Sequence, residues 1–492
     1  MVIPSLENFK ELASQGNLIP LSEEIHFDWE TPISAFRKID NGKFSFLLES
    51  VEGGEKWGRY SLLGSGPSCL FRSKGEVFEI IKDGKVLRRG EVKDPLKALE
   101  NFLADYKPLL HDSLPRFFGG AVGYLNYDMV RFFERIPKLL PQDLELYDCY
   151  FMITDTLLIF DSLKQKVMAI ANVFLDGQRP LEETYGEGQE KIKTIIAKLQ
   201  SKILPPPRQK SSFPSPLCSN LSRADFMEKV ERAKEYIKAG DVIQVVLSQR
   251  FSTEVHCDPF DIYRALRSIN PSPYLFYLKM EDIVLLGASP EVMVRLEEGR
   301  IELRPLAGTR RRGRTVKEDQ ELERDLLADE KEKAEHIMLV DLGRNDVGRV
   351  SEIGSVKVTE LMGVERYSHV MHIVSNIQGT LASGKNAFDV FRAAFPAGTV
   401  SGAPKIRAME IIEELEPVRR GPYAGAVGYF SFSGNMDTCI TIRSILIKDG
   451  KAYVQVGAGI VADSQPEREY EETLNKAQAI FRAIQIAEEG LP

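Results

Sequence analysis

The sequence predicts an α+β protein with large, mainly antiparallel β-sheets. Three observations support this prediction: short segments with strand-like patterns, long stretches with helical periodicity, and a hydrophobic content of 43%, which is ample for a packed core over 492 residues. A chain of this length accommodates two average domains or one large domain with insertions.

The sequence pattern of the amino-terminal part predicts strands followed by a helix. Residues Phe44 to Leu48 and Met152 to Phe160 have the pattern of strands, and residues 180–204 are typical of a helix. Residues 205–222 contain several prolines among serines and charged residues, which indicates a linker or exposed loop. The predicted organisation is therefore an amino-terminal region, a linker and a carboxyl-terminal region: residues 1–204, 205–222 and 223–492.

The carboxyl-terminal region predicts strands mixed with long helices. It begins with a helix over about residues 223–239. The segments with strand patterns are Val242 to Phe251, Ile283 to Gly287, Val292 to Leu296, Gly425 to Phe432, Thr438 to Ile447 and Ala452 to Val456.

Composition argues against several classes of protein. A net charge of -8, with acidic and basic residues well mixed, offers no basic stripe for nucleic acid. The amino terminus lacks the pattern of a signal peptide, and no run of about 18 apolar residues predicts a membrane span. Five scattered cysteines without CxxC spacing predict neither a disulfide framework nor a zinc site. We expect a cytoplasmic protein that binds neither nucleic acid nor membrane.

Two predicted helices carry pairs of glutamates. Glu332 and Glu335 share one face of the helix predicted over residues 329–342, while Glu469 and Glu472 share a face of a helix near the carboxyl end. Each pair alone is more often an exposed charged surface. If both pairs converge in a cleft, repulsion of about 3 kcal/mol per close pair requires a cation, and carboxylate oxygens favour Mg2+.

Two glycine-rich segments adjoin regular structure. Phe395 to Lys405 leads into a helix, and Val456 to Val461 ends a predicted strand. Backbone N–H groups in such loops suit an oxygen anion, although a tight turn is the commoner reason for either pattern. Arg443 is predicted to share a strand face with Cys439 and Thr441, where it could bind a carboxylate; a surface ion pair is the alternative. His372 lies on another predicted strand, where a histidine is more often part of the core.

In this order, the motifs resemble the chorismate-utilising enzyme family. The segments that carry the resemblance are Gln244 to Arg250, Gly287 to Glu291, Arg304 to Arg310, Glu332 to Asp346, Phe395 to Lys405, Val456 to Val461 and Glu469 to Lys476. The resemblance covers residues 223–487 and implies sheets packed as a sandwich, with helices on the outside.

Two positions distinguish branches of this family. Isochorismate and salicylate synthases are similar in carrying a water-activating lysine where this chain has Gln244, and a neutral glutamine cannot act as that base. Aminodeoxychorismate synthases commonly carry a lysine nucleophile in the loop that here contains Ala307. The resemblance therefore implies an anthranilate synthase large subunit, which uses ammonia and Mg2+ to convert chorismate to anthranilate. An aminodeoxychorismate synthase component and a non-catalytic relative are the alternatives.

The resemblance also implies roles for individual residues. The implied metal ligands are Glu335 and Glu472, with Glu332 and Glu469 behind or beside the ion. The implied catalytic positions are Glu291 as general acid, His372 in the elimination of pyruvate, Gln244 and Lys476. The implied substrate contacts are Gly308, Thr309, Thr399, Tyr423, Arg443, Gly457, Ala458 and Gly459.

The amino-terminal region resembles the tryptophan feedback site of anthranilate synthase large subunits. The segments concerned are residues 47–50, 55–61 and 270–275. The implied tryptophan-binding residues are Ser50, Pro273, Tyr274, Leu275, Glu49 and Cys439. Nothing in the chain resembles a glutaminase, so the resemblance implies a separate glutamine amidotransferase subunit that supplies ammonia.

Overall fold

A computed structural model describes residues 2–26, 29–50, 58–111, 114–202, 216–367 and 370–491. The predicted linker lies mostly outside these ranges, as do residues 55–57 of the predicted tryptophan-site segment. Within the described ranges, no helix is long and apolar enough to cross a bilayer.

Strands occur on both sides of the predicted linker. Those before it are β1 (Leu18–Ile25), β2 (Phe44–Glu49), β3 (Tyr60–Ser65), β4 (Cys69–Lys74), β5 (Val77–Lys82), β6 (Lys85–Glu91), β7 (Gly120–Leu125), β8 (Cys149–Ile153), β9 (Thr156–Asp161) and β10 (Lys166–Phe174). The others are β11 (Cys218–Ser219), β12 (Gln244–Glu254), β13 (Tyr274–Met280), β14 (Ile283–Ser289), β15 (Val292–Glu297), β16 (Arg300–Leu303), β17 (Leu306–Arg311), β18 (Lys357–Arg366), β19 (Val370–Thr380), β20 (Gly402–Ala403), β21 (Ala426–Ser431), β22 (Met436–Ile440), β23 (Ser444–Lys448) and β24 (Lys451–Ile460).

Several of the helices begin at residues whose side chains cap them. The α-helices are α1 (Leu6–Leu12), α2 (Pro32–Ile39), α3 (Pro95–Ala104), α4 (Leu181–Gln200), α5 (Arg223–Ala239), α6 (Pro259–Ile269), α7 (Val316–Ala328), α8 (Glu330–Gly348), α9 (Ala387–Ala394), α10 (Lys405–Leu415) and α11 (Pro466–Glu489). Ser222 and Asp225 form a capping box at the start of α5, and Gly240 at φ 84° ends that helix. This helix has the bounds that the sequence predicts.

The strands form two large sheets. The first sheet has the order β1-β10-β9-β3-β2-β13-β14-β23-β24-β12-β11, with β20 beside β12. The second has the order β17-β19-β16-β15-β22-β21-β7-β8-β4-β5-β6, with β18 beside β19. Neighbouring strands in these orders run antiparallel, for example Leu47 opposite Tyr277 in the first sheet and Gly123 opposite Gly428 in the second. The predicted fold class is confirmed.

Each sheet contains strands from both sides of the predicted linker. In the first sheet, β2 pairs with β13. In the second, β7 pairs with β21. The two parts of the sequence therefore interleave within one sandwich.

The main hydrophobic core lies between the sheets. Phe276 and Leu285 of the first sheet belong to one cluster with Met152 and Phe430 of the second. A second cluster covers the outer face of the first sheet, where α1, α2, α4, α6 and α11 pack. Burial of apolar side chains on both faces stabilises the first sheet, at about 25 cal/mol for each Å² removed from water.

Two strand predictions are wrong in the same way. Residues Met152 to Phe160 form not one strand but the end of β8 and the start of β9, which lie in different sheets. Residues Thr438 to Ile447 likewise divide between β22 and β23. In both places the chain passes from one sheet to the other. Both corners contain buried polar residues, Thr154 with Asp155 and Thr441, and the strands on either side of each corner are largely apolar and buried, so the two strands look like one in the sequence.

Candidate active site

Arg443 lies at the corner where the chain leaves β22 for β23. Its φ of 49° breaks the strand, so the prediction that Arg443 shares a strand face with Cys439 is wrong. The half-buried guanidinium makes no ion pair among the described residues, and burial lowers its pKa against the opposing charge of Glu291. An arginine in this state suits a carboxylate brought by a ligand.

Glu291 lies between β14 and β15 and faces the same cleft as Arg443. Thr399 Oγ1, in the glycine-rich loop before α10, donates a hydrogen bond of 2.7 Å to Glu291 Oε2. Desolvation raises the pKa of Glu291 to about 7, against the lowering effects of Thr399, Arg443 and Lys476. A carboxyl group with this pKa exchanges a proton near neutral pH.

His372 lies on β19, as predicted, and contacts the turn in β17. Its Nδ1 is 3.1 Å from the carbonyl oxygen of Gly308 and 3.0 Å from Thr309 Oγ1. Burial and the charge of Arg443 lower the pKa of His372 to about 4, so its imidazole is neutral at neutral pH. Since a carbonyl only accepts, Nδ1 carries the proton, and Nε2 is left with the lone pair of a base.

Gln244 begins β12 and contacts the first of the glutamate helices. Its Nε2 donates a 3.0 Å hydrogen bond to Glu335 Oε1 on α8. A Cβ atom on Gly459 would lie 2.5 Å from Gln244 Nε2, so glycine is required there for the glutamine to take this position. The contact brings Glu335, a predicted metal ligand, to the end of the first sheet at which β12 begins.

The second glutamate helix is joined to the neighbouring strand by Lys476. Its Nζ lies 2.7 Å from Glu472 Oε1 and donates a 3.0 Å hydrogen bond to the carbonyl oxygen of Gly457 on β24. The charge of Lys476 also lowers the pKa of Glu291. The amino-terminal part of α11 therefore borders the same cleft as Glu291.

The segment predicted as a second anion-binding loop is part of a strand. β24 continues to Ile460, and Gly457, Ala458 and Gly459 pair with β12. The sequence predicts a strand that ends at Val456, and the structure extends that strand to Ile460. Ala458 is buried in the cluster formed by α5, α10 and β12, so only its backbone is open to a ligand. The buried side chain of Tyr423 approaches Gly457, where a Cβ atom would lie 2.7 Å from the tyrosine oxygen.

The four glutamates form two pairs, one on each helix. Burial raises the pKa of Glu332, and the negative charge of Glu335 raises it further. Burial likewise raises the pKa of Glu469, and the charge of Glu472 adds to this effect. Lys331 of α8 influences Glu469 of α11, so the two helix ends lie near each other. Among the described residues, no three acidic, histidine or cysteine side chains are gathered as a metal site.

This donor set fits Mg2+. The ion commonly binds through one or two carboxylates and completes its shell with water and substrate oxygens, so it does not need a cluster of three side chains. The histidine on the same helix, His336, is instead turned into the core, where its Nε2 lies 2.6 Å from Ser375 Oγ. Among the described residues, the two helices carry hard oxygen donors for such an ion, the carboxylates of Glu332, Glu335, Glu469 and Glu472.

A separate cavity lies between the two sheets. All six predicted tryptophan-binding positions line it: Glu49, Ser50, Pro273, Tyr274, Leu275 and Cys439. The carboxylate of Glu49 is engaged from the far side by Tyr263, whose hydroxyl donates a 2.6 Å hydrogen bond, and by Arg267 at 3.1 Å. Glu49 therefore supports this wall rather than offering a charge.

Sequence reasoning missed three charged residues that line this cavity, Arg116, Arg295 and Asp437. Arg295 Nη2 lies 2.7 Å from Asp437 Oδ2, and Tyr274 donates a 2.9 Å hydrogen bond to Asp437 Oδ1. Arg295 and Asp437 occur within the buried parts of two strands, β15 and β22. A charge inside a buried strand is the signal that identifies them from sequence, because such charges are retained when paired.

Comparison with known families matches residues 45–482 to the family described as chorismate binding enzyme. The chain belongs to this family. Two relatives of this chain are named anthranilate synthase component 1. The protein from Acetivibrio thermocellus is 50% identical over 99% of this chain and 100% of its own length. The protein from Aquifex aeolicus is 51% identical over 99% of this chain and 98% of its own length.

Solved structures of the family agree with the sheet arrangement. Anthranilate synthase component I from Streptococcus pneumoniae matches with a TM-score of 0.77 at 38% identity, covering 93% of this chain and 98% of the other. The isochorismate synthase MenF from Escherichia coli matches with a TM-score of 0.73 at 20% identity, covering 98% of both chains. The second likeness concerns the fold alone. Within the family, this chain belongs with the anthranilate synthase component 1 proteins.

Proposed function

We propose that this chain aminates chorismate with ammonia in a Mg2+-dependent reaction and then eliminates pyruvate to yield anthranilate, the first step of tryptophan biosynthesis. One observation carries the proposal. Glu291, with a pKa of about 7, faces the guanidinium of Arg443 in a chain half identical to anthranilate synthase component 1 proteins.

The two carboxylates of chorismate require two cationic partners. Arg443 suits the enolpyruvyl carboxylate, because no carboxylate of the described residues is paired with its guanidinium. The backbone of Gly457 to Gly459 and the hydroxyl of Tyr423 border the same region. The ring carboxylate then lies toward the glutamates of α8 and α11.

Glu291 is suited to assist departure of the C4 hydroxyl. As ammonia forms a bond to C2, the C1=C2 and C5=C6 double bonds shift to C1=C6 and C4=C5, the C4–O bond breaks, and the Glu291 proton goes to the departing oxygen to form water. The amino group then loses a proton to solvent. Thr399 orients the carboxyl group through its hydrogen bond to Oε2.

His372 is suited to the second step. Its neutral imidazole takes the proton from C2, and the electron pair forms the aromatic ring as the C3–O bond breaks and pyruvate leaves. Gly308 and Thr309 hold Nδ1, so that Nε2 carries the lone pair.

Glu335 and Glu472 would hold Mg2+, with Glu332 and Glu469 beside it. When bound, the ion supplies a positive charge that neutralises and orients the ring carboxylate. The hydrogen bond from Gln244 leaves the second oxygen of Glu335 for such a role.

Ammonia requires no basic residue to activate it, which suits the neutral Gln244. The name component 1 in the relatives implies a second component. We infer that a glutamine amidotransferase subunit supplies the ammonia in the cytoplasm. The cavity between the sheets is proposed to bind tryptophan, with the indole ring against its apolar walls.

The test is incubation of the purified chain with chorismate, Mg2+ and ammonium, followed by anthranilate fluorescence. We expect anthranilate that depends on Mg2+ and decreases with tryptophan, and no product from glutamine alone. An aminated product that keeps its enolpyruvyl group would refute the elimination step and identify an aminodeoxychorismate synthase, against the indication of Ala307.

A further inference from the structure

Arg310 lies near the end of β17 and connects the substrate loop, which is the irregular part of that strand at Ala307 to Thr309, to the first turn of α8. Its Nε donates a 2.7 Å hydrogen bond to Asp325, its Nη2 one of 2.8 Å to Asp329, and its Nη1 one of 3.1 Å to Glu332 Oε1. Nη1 also lies 3.1 Å from the carbonyl oxygen of Thr309. Every nitrogen of the guanidinium is therefore in use.

These contacts fix the direction of the Glu332 side chain. Asp329 caps α8 with one oxygen, which accepts from the N–H groups of Lys331 and Glu332, and binds Arg310 with the other. With Oε1 of Glu332 held by the arginine, Oε2 lies over the substrate loop, 3.2 Å from where a Cβ atom on Gly308 would be. The carboxylate thus has one oxygen bound to Arg310 and one oxygen beside Gly308.

We propose that Arg310 is a positioning residue for the divalent cation, acting through Glu332. This inference rests on the proposed function, in which Glu332 lies beside the ion. Arg310 itself touches neither substrate nor ion. It holds Glu332 so that Oε2 needs no reorientation when the cation arrives, and partners that orient ligands in this way commonly change metal affinity about 10- to 100-fold.

Arg311 provides the matched control. It is the next residue, its side chain is 60% exposed, and it pairs with Glu318 on α7 rather than with α8. Arg311→Gln removes the same charge from the same strand without touching Glu332. An electrostatic effect of charge alone would appear in both variants.

The experiment measures binding of Mn2+ alone, in the absence of chorismate, to the full chain and its variants by electron paramagnetic resonance. For Arg310→Gln we expect the dissociation constant to rise at least about tenfold, with kcat at saturating Mg2+ within about threefold of the unchanged chain. Arg311→Gln should bind Mn2+ normally. Equal constants for the two variants would overturn the proposal.

A double variant separates positioning from a general loss of structure. If Arg310 acts through Glu332, adding Arg310→Gln to Glu332→Gln changes Mn2+ affinity by less than about twofold. Independent, multiplied losses would mean that Arg310 supports the fold alone and would refute the proposal. Because Mn2+ binding needs no turnover, this result is separate from anthranilate formation, whose absence in the unchanged chain would instead refute the proposed function.

Discussion

Strands β15 and β22 border both the cleft and the cavity. The charged side chains are paired with each other in the cavity but not in the cleft. β15 begins beside Glu291 at the cleft and carries Arg295 into the cavity, while β22 carries Asp437 and leads out to Arg443. In the cavity, Arg295 and Asp437 pair at 2.7 Å. In the cleft, Arg443 has no such partner among the described residues.

This difference indicates that the paired charges have a structural role and that the charged groups of the cleft have a chemical one. A buried, paired charge stabilises one arrangement of its surroundings and is closed to further reaction. A partly buried charge without a partner favours the arrival of an opposite charge, and a carboxyl group with a raised pKa can transfer its proton. Substitutions in the cleft should therefore change turnover, whereas substitutions in the cavity should change the response to tryptophan.

The largest effect is expected from Glu291→Gln. Glutamine keeps the size of the side chain but has no acidic proton to give, so kcat for anthranilate formation should fall about 10²- to 10⁴-fold. Steady-state fluorescence at saturating ammonium measures the loss. Glu298→Gln, at the turn after β15, is the control and should be unaffected. A decrease below about tenfold would remove Glu291 from the acid role.

A smaller effect, confined to regulation, is expected from Cys439→Phe. The larger side chain enters the cavity where the ligand is proposed to lie, and overpacking of about 1–3 kcal/mol corresponds to a rise of roughly 5- to 150-fold in the tryptophan concentration for half-inhibition. The conservative Cys439→Ser should stay inhibited. Loss of turnover together with inhibition would mean that the two sites are not separable.

The pH dependence of turnover sharpens the assignment of Glu291. Its folded pKa is raised to about 7, so the acid form dominates below that value and is lost above it. At constant free ammonia, the rate should decrease about tenfold for each pH unit above the pKa. The Glu291→Gln variant should lack this decrease. A flat profile in the unchanged chain would contradict the assignment.

The smallest effect is a thermal one. Tryptophan at 100 times its dissociation constant should stabilise the folded chain by about 2.7 kcal/mol. For a chain of this size the melting temperature should rise by about 2–3 °C. Scanning fluorimetry measures the change, and Cys439→Phe should abolish it. An equal rise in that variant would locate tryptophan elsewhere.

Local signals predicted much of the fold. The capping residues of α5 and the apolar periodicity of α11 depend on neighbours in sequence, so both helices could be identified. The corners at residues 154–155 and 441–443 could not, because the strands on either side of each corner are largely apolar and buried whichever sheet they join. The strain at Arg443 is likewise a property of the assembled sandwich.

For the candidate site, the sequence predicted residues that lie within family motifs but not residues whose role depends on contacts made in the folded chain. Glu291, Glu335 and Glu472 occur within family motifs and were identified by resemblance. The role inferred for Arg310 depends on three carboxylates from α7, α8 and the turn between them, which only the folded chain brings together. Pairing of Arg295 with Asp437 likewise joins residues distant in sequence.

The interleaving of the two sheets has a consequence for producing the protein in pieces. If residues 1–202 and 216–492 were expressed separately, each fragment would expose strand edges that pair with the other fragment in the intact chain, notably β2 and β13 or β7 and β21. Open edges of this kind promote aggregation. The fragments should therefore be soluble only when coexpressed, as a noncovalent pair that purifies together.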